Sequence, residues 1–222
     1  RDANIIIYHL FMQTQKEEIR KRIVLVARDE FMKNGVKHTS MMTIATKAGI
    51  AVGNIYNYYK SKDDLLKAVL SPLLKAVKAY QMKNLDVTYA SLDIYRYEIY
   101  YEIMKNQVAS LVIPYRQEFR LLFFETAGSS LENYFDQLQE ENCREGLTYI
   151  ARLKERYPSI NSDISNHFVG ILCDLWAGLI KRIIMADDID NQELERIISN
   201  YVRFGIGGWK RLLGVKFSDQ DE

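Results

Sequence analysis

The sequence predicts an all-α protein, and three observations carry that prediction. Its 222 residues include only 11 Gly and 3 Pro, too few turn formers for a many-stranded sandwich or for strands alternating with helices through short loops. Apolar residues make up 48% of the chain, enough to fill a substantial core. Those residues recur at three- and four-residue steps, the period of a helix with one buried face.

Taken in order, the chain begins with an apolar run, Ile5 to Phe11, ahead of Met12-Gln13-Thr14-Gln15-Lys16, which reads like a natural start. Residues 1–11 are expected to be an upstream extension, an artefact of expression, or an ordered arm packing on the body. The run is too short to span a bilayer and lacks a small-residue cleavage site. From Lys16 to Asn34, Ile19, Ile23, Val26, Ala27 and Phe31 mark one amphipathic helix that ends at Asn34-Gly35. Thr39-Ser40 offers a cap for a helix of about two turns, Met41 to Ala48, closed by Gly49 in a position suited to a left-handed residue. Val52 to Tyr58 is a second short helix. Ser61 caps a third, with Asp63 and Asp64 in the first turn, where negative charge suits the helix dipole. Leu65, Leu66, Val69, Leu70 and Leu73 form its apolar face, and Pro72 inside that pattern is expected to kink it. Beyond lie a helical stretch from Leu92 to Val112, a short helix from Pro114 to Phe124, a break at Gly128, and long helices over Ser129–Arg156, Ser162–Met185 and Asn191–Leu213.

Formal net charge is only +1, but it is unevenly spread. Between Met12 and Lys62 stand ten Lys/Arg (Lys16, Arg20, Lys21, Arg22, Arg28, Lys33, Lys37, Lys47, Lys60, Lys62) and four acids (Glu17, Glu18, Asp29, Glu30). The remainder is acidic. A small basic module on an acidic body suits a head that neutralises phosphate, which needs local charge only. Cys143 and Cys173 lie far apart in sequence, with no CxxC or Cys/His cluster, so neither a disulfide framework nor a zinc site is expected; both are read as reduced thiols. No stretch approaches the length of a membrane span, and a cytoplasmic location is expected.

The informative stretch runs from Thr39 to Leu66, TSMMTIATKAGIAVGNIYNYYKSKDDLL. It holds two short helices joined by a tight glycine turn, followed at once by a capped third. A helix-turn-helix needs small residues where its helices cross, an apolar residue after the turn, and a second helix with a polar outer face. Ala45, Gly49 and Ile50 meet the first two needs. Val52, Gly53, Asn54, Tyr56, Asn57 and Tyr58 fall on or near the outer face, with Ile55 and Tyr59 inward. Asn54 and Asn57 can pair with adenine N6/N7 or with phosphate, tyrosine hydroxyls with phosphate, and Val52 with a thymine methyl. Gly53 lets a backbone come close, while Ser40 and Lys62, at two helix N-termini, are expected to grip phosphates on either side.

At these residues the sequence resembles the TetR (tetracycline repressor) family. The resemblance covers Lys16 to about Leu70 and rests on Ile44-Ala45, Ala48-Gly49-Ile50, Gly53, Ile55-Tyr56, Tyr59 and Lys60-Ser61-Lys62 before an acidic-Leu run. Met42 and Ala51-Val52 depart from it, standing where the family often has Arg or another polar residue and Ser-Lys or Ser-Arg. The resemblance implies an N-terminal three-helix DNA-binding head (12–70) and a C-terminal helical bundle for ligand sensing and dimerisation (71–222). It implies a homodimeric regulator, a repressor released from a palindromic double-stranded operator when a small-molecule effector enters the body. Paired recognition helices would enter successive major grooves.

In the body, Tyr97, Tyr100, Tyr101, Met104, Phe119, Phe123 and Phe124 are dense enough to line an aromatic cavity, or to form a plain core. The last two helices carry Phe168, Ile171, Leu172, Leu175, Trp176 and Leu179, then Ile197, Ile198, Tyr201, Phe204, Gly205, Gly208 and Trp209, more apolar surface than two peripheral helices need. A four-helix interface between two chains would use them, with Gly205 and Gly208 allowing close approach. No cofactor, metal or catalytic activity is expected. His9, His38 and His167 are scattered, Glu140-Glu141 and Asp187-Asp188 look like solvated surface, and Gly205-Ile206-Gly207-Gly208 follows no strand and lacks the Walker lysine pattern. The rival readings are a helical-bundle enzyme with an incidental helix-turn-helix, and a DNA-binding or protein-interaction module that answers to no ligand.

Overall fold

The computed structural model describes residues 2–84 and 90–215, with side chains from 12 to 82 and from 90 to 215. Every regular element among them is helical: α1 Asp2–His38, α2 Met41–Lys47, α3 Val52–Ile55, α4 Lys62–Asn84, α5 Tyr97–Gln107, α6 Arg116–Phe124, α7 Tyr134–Arg156, α8 Asn166–Met185 and α9 Asn191–Leu213. A 3-10 turn, Leu92–Tyr95, precedes α5, and a π turn, Val108–Val112, follows it. None of these helices is long and apolar enough to cross a membrane.

The chain forms two compact units, Arg1–Leu74 with Arg120–Asn133, and Lys75–Phe119 with Tyr134–Glu222. The division expected between residues 70 and 71 therefore lies inside the first unit, and residues 120–133, expected in the body, join the head. Ile23, Ala27 and Phe31 of α1, Ile44 and Ala45 of α2, Ile55 of α3, and Leu65, Leu66, Leu70 and Leu73 of α4 are fully buried. Each large side chain removed from water contributes about 1.5–3 kcal/mol, so these four helices hold together around one core.

Helix α1 begins earlier than expected, its backbone running on from Asp2. It loses helical geometry at Gly35 (φ 73°, ψ 158°), where the sequence had placed its end. Only glycine fits there, because that φ is left-handed and an added Cβ would lie 2.7 Å from Glu125 Oε2. The break turns the Val36 amide toward the Glu125 carbonyl, 2.9 Å away. Helix α3 is shorter than expected. With no side-chain cap at Ala51, and with Asn57, Tyr58 and Tyr59 poor at propagating helix, it closes into a turn in which the amides of Tyr58 and Tyr59 share the Ile55 carbonyl at 3.0 Å. Pro72 sits inside α4 without ending it.

In the second unit α5 packs on α9 and α7 on α8, burying Met104, Val108 and Val112 together with Ile150, Val169, Ile183, Ile198 and Val202. At one end Tyr95, Leu153, Ile160 and Leu213 form a cluster that Trp209 and Tyr149 cover. The expected long helices start late because local side chains hold the preceding backbone in turns. Ser129 Oγ donates to the Thr126 carbonyl at 2.7 Å and accepts from the Leu131 amide, delaying α7 to Tyr134. The Asn161 side chain accepts from the Asp163 amide and donates to the Leu212 carbonyl, delaying α8 to Asn166. The expected helix over Leu92–Val112 is split at Arg96, whose ψ of 137° is extended.

Candidate nucleic-acid interface

Helix α2 starts where Ser40 accepts a hydrogen bond from the Thr43 amide at 3.0 Å, and its hydroxyl also pairs with that of Thr43. Gly49, at φ 67°, reverses the chain, and the Ile50 amide returns to the Ala45 carbonyl at 3.0 Å. This is a tight helix-turn-helix corner. Beyond it Ile55 is fully buried, so the rest of α3 and its closing turn faces out: Val52 is 40% and Tyr56 51% exposed, with Gly53, Asn54 and Asn57 exposed beside them. Asn57 Nδ2 lies 3.5 Å from Asn54 Oδ1, a weak contact that leaves most of both amides to solvent. Tyr58 is half-buried, as is Tyr59, whose hydroxyl pKa is pushed up by burial. Met42, also outward on α2, is 62% exposed.

Gly53 carries information of a different kind. A Cβ built there would meet no atom within 4 Å, so nothing inside the head requires glycine at this position. The α3 backbone there is open to approach from outside.

Lys62 has intramolecular partners that its expected role did not include. Its Nζ donates to the carbonyls of Val36 at 2.6 Å, Thr39 at 2.9 Å and Lys37 at 3.4 Å. Those are acceptors at and just beyond the end of α1, so the ammonium clips α1 to the start of α4, a structural role beside the phosphate contact expected of it. Asp63 makes a second clip: its carboxylate accepts from the Ser130 amide at 2.8 Å and the Ser130 hydroxyl at 2.9 Å, and pairs with Lys67 at 2.9 Å. Partial burial would raise its pKa, but the bonds from Lys67 and Ser130 outweigh that and hold it below the ordinary carboxylate value.

A buried group that the sequence reading overlooked is Glu30, 6% exposed, which is paired with Lys47. The signal was present: Glu30 follows Ile23 and Ala27 on the same helical face as Phe31, and a carboxylate on an apolar stripe needs a partner. Thr39, also buried, donates to the Gly35 carbonyl at 2.8 Å.

Of the residues expected to line a ligand cavity, Tyr97 and Tyr101 stack at 5.6 Å, and the Tyr97 hydroxyl is 2.9 Å from Ser199 Oγ on α9. Tyr100 is half-buried, and desolvation pushes its hydroxyl up to about 12, while Met104 and Phe119 are buried. Tyr97, through Ser199, and Tyr100, beside Gly205, join α5 to α9. Phe123 falls in the first unit, edge-on to Phe124.

The expected dimer residues divide. Phe168, Leu175 and Phe204 are 40%, 45% and 67% exposed, and Ile171, beside them, is 59% exposed. Leu172 is half-buried. Trp176 and Tyr201 pack on each other at 5.1 Å. A Cβ on Gly205 would lie 3.6 Å from the Tyr100 ring, so the close approach it permits is to α5 of its own chain, whereas Gly208 stands in open space. Among the described residues no group of three or more His, Cys, Asp or Glu is placed to hold a metal ion.

Residues 23–69 match the family described as bacterial regulatory proteins, tetR family. The HTH-type transcriptional regulator UidR of Escherichia coli (strain K12) is 36% identical over 59 residues, covering 27% of this chain and 30% of that protein. An HTH-type transcriptional regulator of Staphylococcus aureus (strain USA300) is 34% identical over 89 residues, 37% of this chain and 48% of that one. The chain thus spans less than half the length of these curated relatives. Over nearly the whole fold it is similar to a TetR-like transcriptional regulator from Rhodococcus sp. RHA1, with a TM-score of 0.59 at 16% identity over 86% of this chain and 96% of that one. MexZ, a repressor from Pseudomonas aeruginosa, gives a TM-score of 0.56 at 19% identity over 89% and 98%. At such identities the likeness is one of fold. The family match is thus one of the head: residues 23–69 carry the sequence pattern of the tetR family of bacterial regulatory proteins.

Proposed function

We propose that the chain is a sequence-specific DNA-binding transcriptional regulator, a homodimeric repressor whose paired heads sit on a palindromic operator and leave it when a small molecule binds the body. The observation that carries this reading is the outer face of α3. Asn54, Asn57, Tyr56 and Val52 stand exposed around an unobstructed Gly53, on a corner held by Ile55 and the Gly49 turn. Asparagine amides suit adenine edges, and the bare backbone admits a phosphate or base edge at close range. The basic balance of Met12 to Lys62 supplies the sequence-independent attraction. Names of relatives and fold neighbours, regulators and repressors, agree with it.

The homodimer is supported by the exposed stripe of Phe168, Ile171, Leu175 and Phe204 on α8 and α9, apolar surface that a self-complementary two-fold contact would remove from water. An effector acting from the body would couple two separate sites, and the coupling must be reciprocal: DNA would weaken effector binding by the same factor.

Selection of bound duplexes from a random library by the purified chain, followed by a salt titration on the winner, tests the proposal. The expected result is a palindromic site whose affinity falls steeply with salt. Recovery of no enriched site, or of binding indifferent to salt, would overturn it.

A further inference from the structure

The two cysteines, far apart in sequence, come together in the fold. Cys143 on α7 and Cys173 on α8 are both free, both line one surface cleft of about 310 Å³, and burial, with Cys143 beside it, pushes the Cys173 thiol up. The spacing of Asp136, Glu140 and Cys143 puts one face of α7 along that cleft, and Cys173 with Asp174 supplies the α8 wall. We propose that Cys143 and Cys173 form a two-coordinate binding site for a soft monovalent d10 metal ion of the Cu(I) or Ag(I) kind.

Three features of the cleft select that chemistry. Paired thiolates are soft ligands, and soft ligands favour soft ions over Mg²⁺ or Ca²⁺. No third His, Cys, Asp or Glu is placed among the described residues to complete a metal cluster with them, which removes the closed four-ligand arrangement of structural zinc and leaves the linear one, for which two sulfurs suffice. The polar residues around the thiols are carboxylates, Asp136, Glu140 and Asp174, with Gln139 bonded to Asp174 and no Lys or Arg in the lining. Their potential draws a cation in.

Binding balances simply. Each thiol gives up one proton to solvent as its sulfur takes a bond to the ion, so M⁺ and two thiols become an S–M–S unit of charge −1 and two released protons. No oxidant or reductant is needed. The site is compatible with the proposed dimer, because Cys173 lies five residues after Phe168, about 140° around α8, away from the exposed Phe168, Ile171 and Leu175. It stands whether or not the head binds DNA.

The test is an anaerobic titration of the reduced full chain with Cu(I) against a chromophoric chelator, with native mass spectrometry of the same chain in Ag(I). The expected result is one ion per chain, two protons released, and affinity lowered at least 100-fold in Cys143→Ser and in Cys173→Ser. Asp174→Asn should lower affinity several-fold at unchanged stoichiometry. Circular dichroism of the serine variants separates a lost ligand from a lost fold, and the silver stoichiometry of the unaltered chain does not depend on them. Undiminished binding in a folded serine variant, a stoichiometry well below one, or conversion of the pair to a disulfide that holds no ion would overturn the proposal.

Discussion

Two helical surfaces of this chain face outward with opposite chemistry. Around α3 the exposed groups are amides, a phenol and a bare backbone, with Val52 as the apolar exception; along α8 and α9 they are Phe168, Ile171, Leu175 and Phe204. The first surface is at ease in water, and its composition makes sense only through what it can hydrogen-bond. The second is not at ease in water, and exposed apolar side chains of that kind suit the proposed contact between two chains. On the proposed reading, the recognition face is one that the free protein tolerates, whereas the seam is one that the free protomer does not.

The sharpest way to break that contrast is a charge in the seam. Phe204→Glu should convert the proposed dimer to monomer in sedimentation, because two-fold symmetry would introduce the carboxylate twice. An uncompensated charge buried against apolar surface costs several kcal/mol, enough to raise the dissociation constant at least about 100-fold. A variant that sediments as wild type would place the seam elsewhere.

Lys62→Ala separates holding the head together from gripping DNA. With three carbonyls at the end of α1 deprived of their donor, the head should lose about 1.5–3 kcal/mol in urea unfolding, the range for hydrogen bonds to a charged group. If Lys62 instead served only phosphate, stability would be unchanged and the salt slope of binding would fall by about one.

Asn57→Ala addresses the recognition face itself. The expected outcome is a loss of about 1–3 kcal/mol on the selected operator, confined to one base position in each half-site, with affinity for random DNA unchanged. Equal losses on both would reduce Asn57 to a backbone contact. Gly53→Ala is a smaller and more telling change, because its two readouts move in opposite senses. Alanine should stabilise the head by about 0.5–1 kcal/mol, since glycine is the poorer helix former and the site is empty, while weakening DNA binding by crowding the approach.

The same contrast explains what the sequence disclosed. The head was legible because its determinants are local: Ser40 caps, Gly49 turns, Ile55 alternates with outward neighbours, and each residue's role follows from its distance to the next. The all-helical body was legible as periodicity, but the start of α7 at Tyr134 and of α8 at Asn166 depended on Ser129 and Asn161 capturing nearby backbone, and a helical wheel does not register that competition. Long-range partners were least visible. Nothing in the spacing joins Cys143 to Cys173 or Asp63 to Ser130, and Lys62 could be credited to phosphate only because the carbonyls it serves lie more than twenty residues away. The aromatic set was legible as a group but not as packing, since Tyr97 finds Ser199 across 102 residues.

The smallest expected effect concerns Asp63, and its sign is fixed by its partners. Lys67 and Ser130 hold the folded carboxyl below its ordinary value, so the folded state binds the proton less readily than the unfolded chain. The stabilisation is fully present above the ordinary carboxylate pKa of about 4 and is lost as pH falls through the lower folded value. Asp63→Asn should therefore change stability little at pH 7, by less than about 1 kcal/mol for so exposed a pair, because an amide can still accept from the Ser130 amide and donate to its hydroxyl. Below about pH 4 the wild type should lose its advantage and the two urea midpoints should converge. Curves that stay parallel from pH 7 to pH 3 would mean that the Ser130 clip contributes through shape and not through the charge of Asp63.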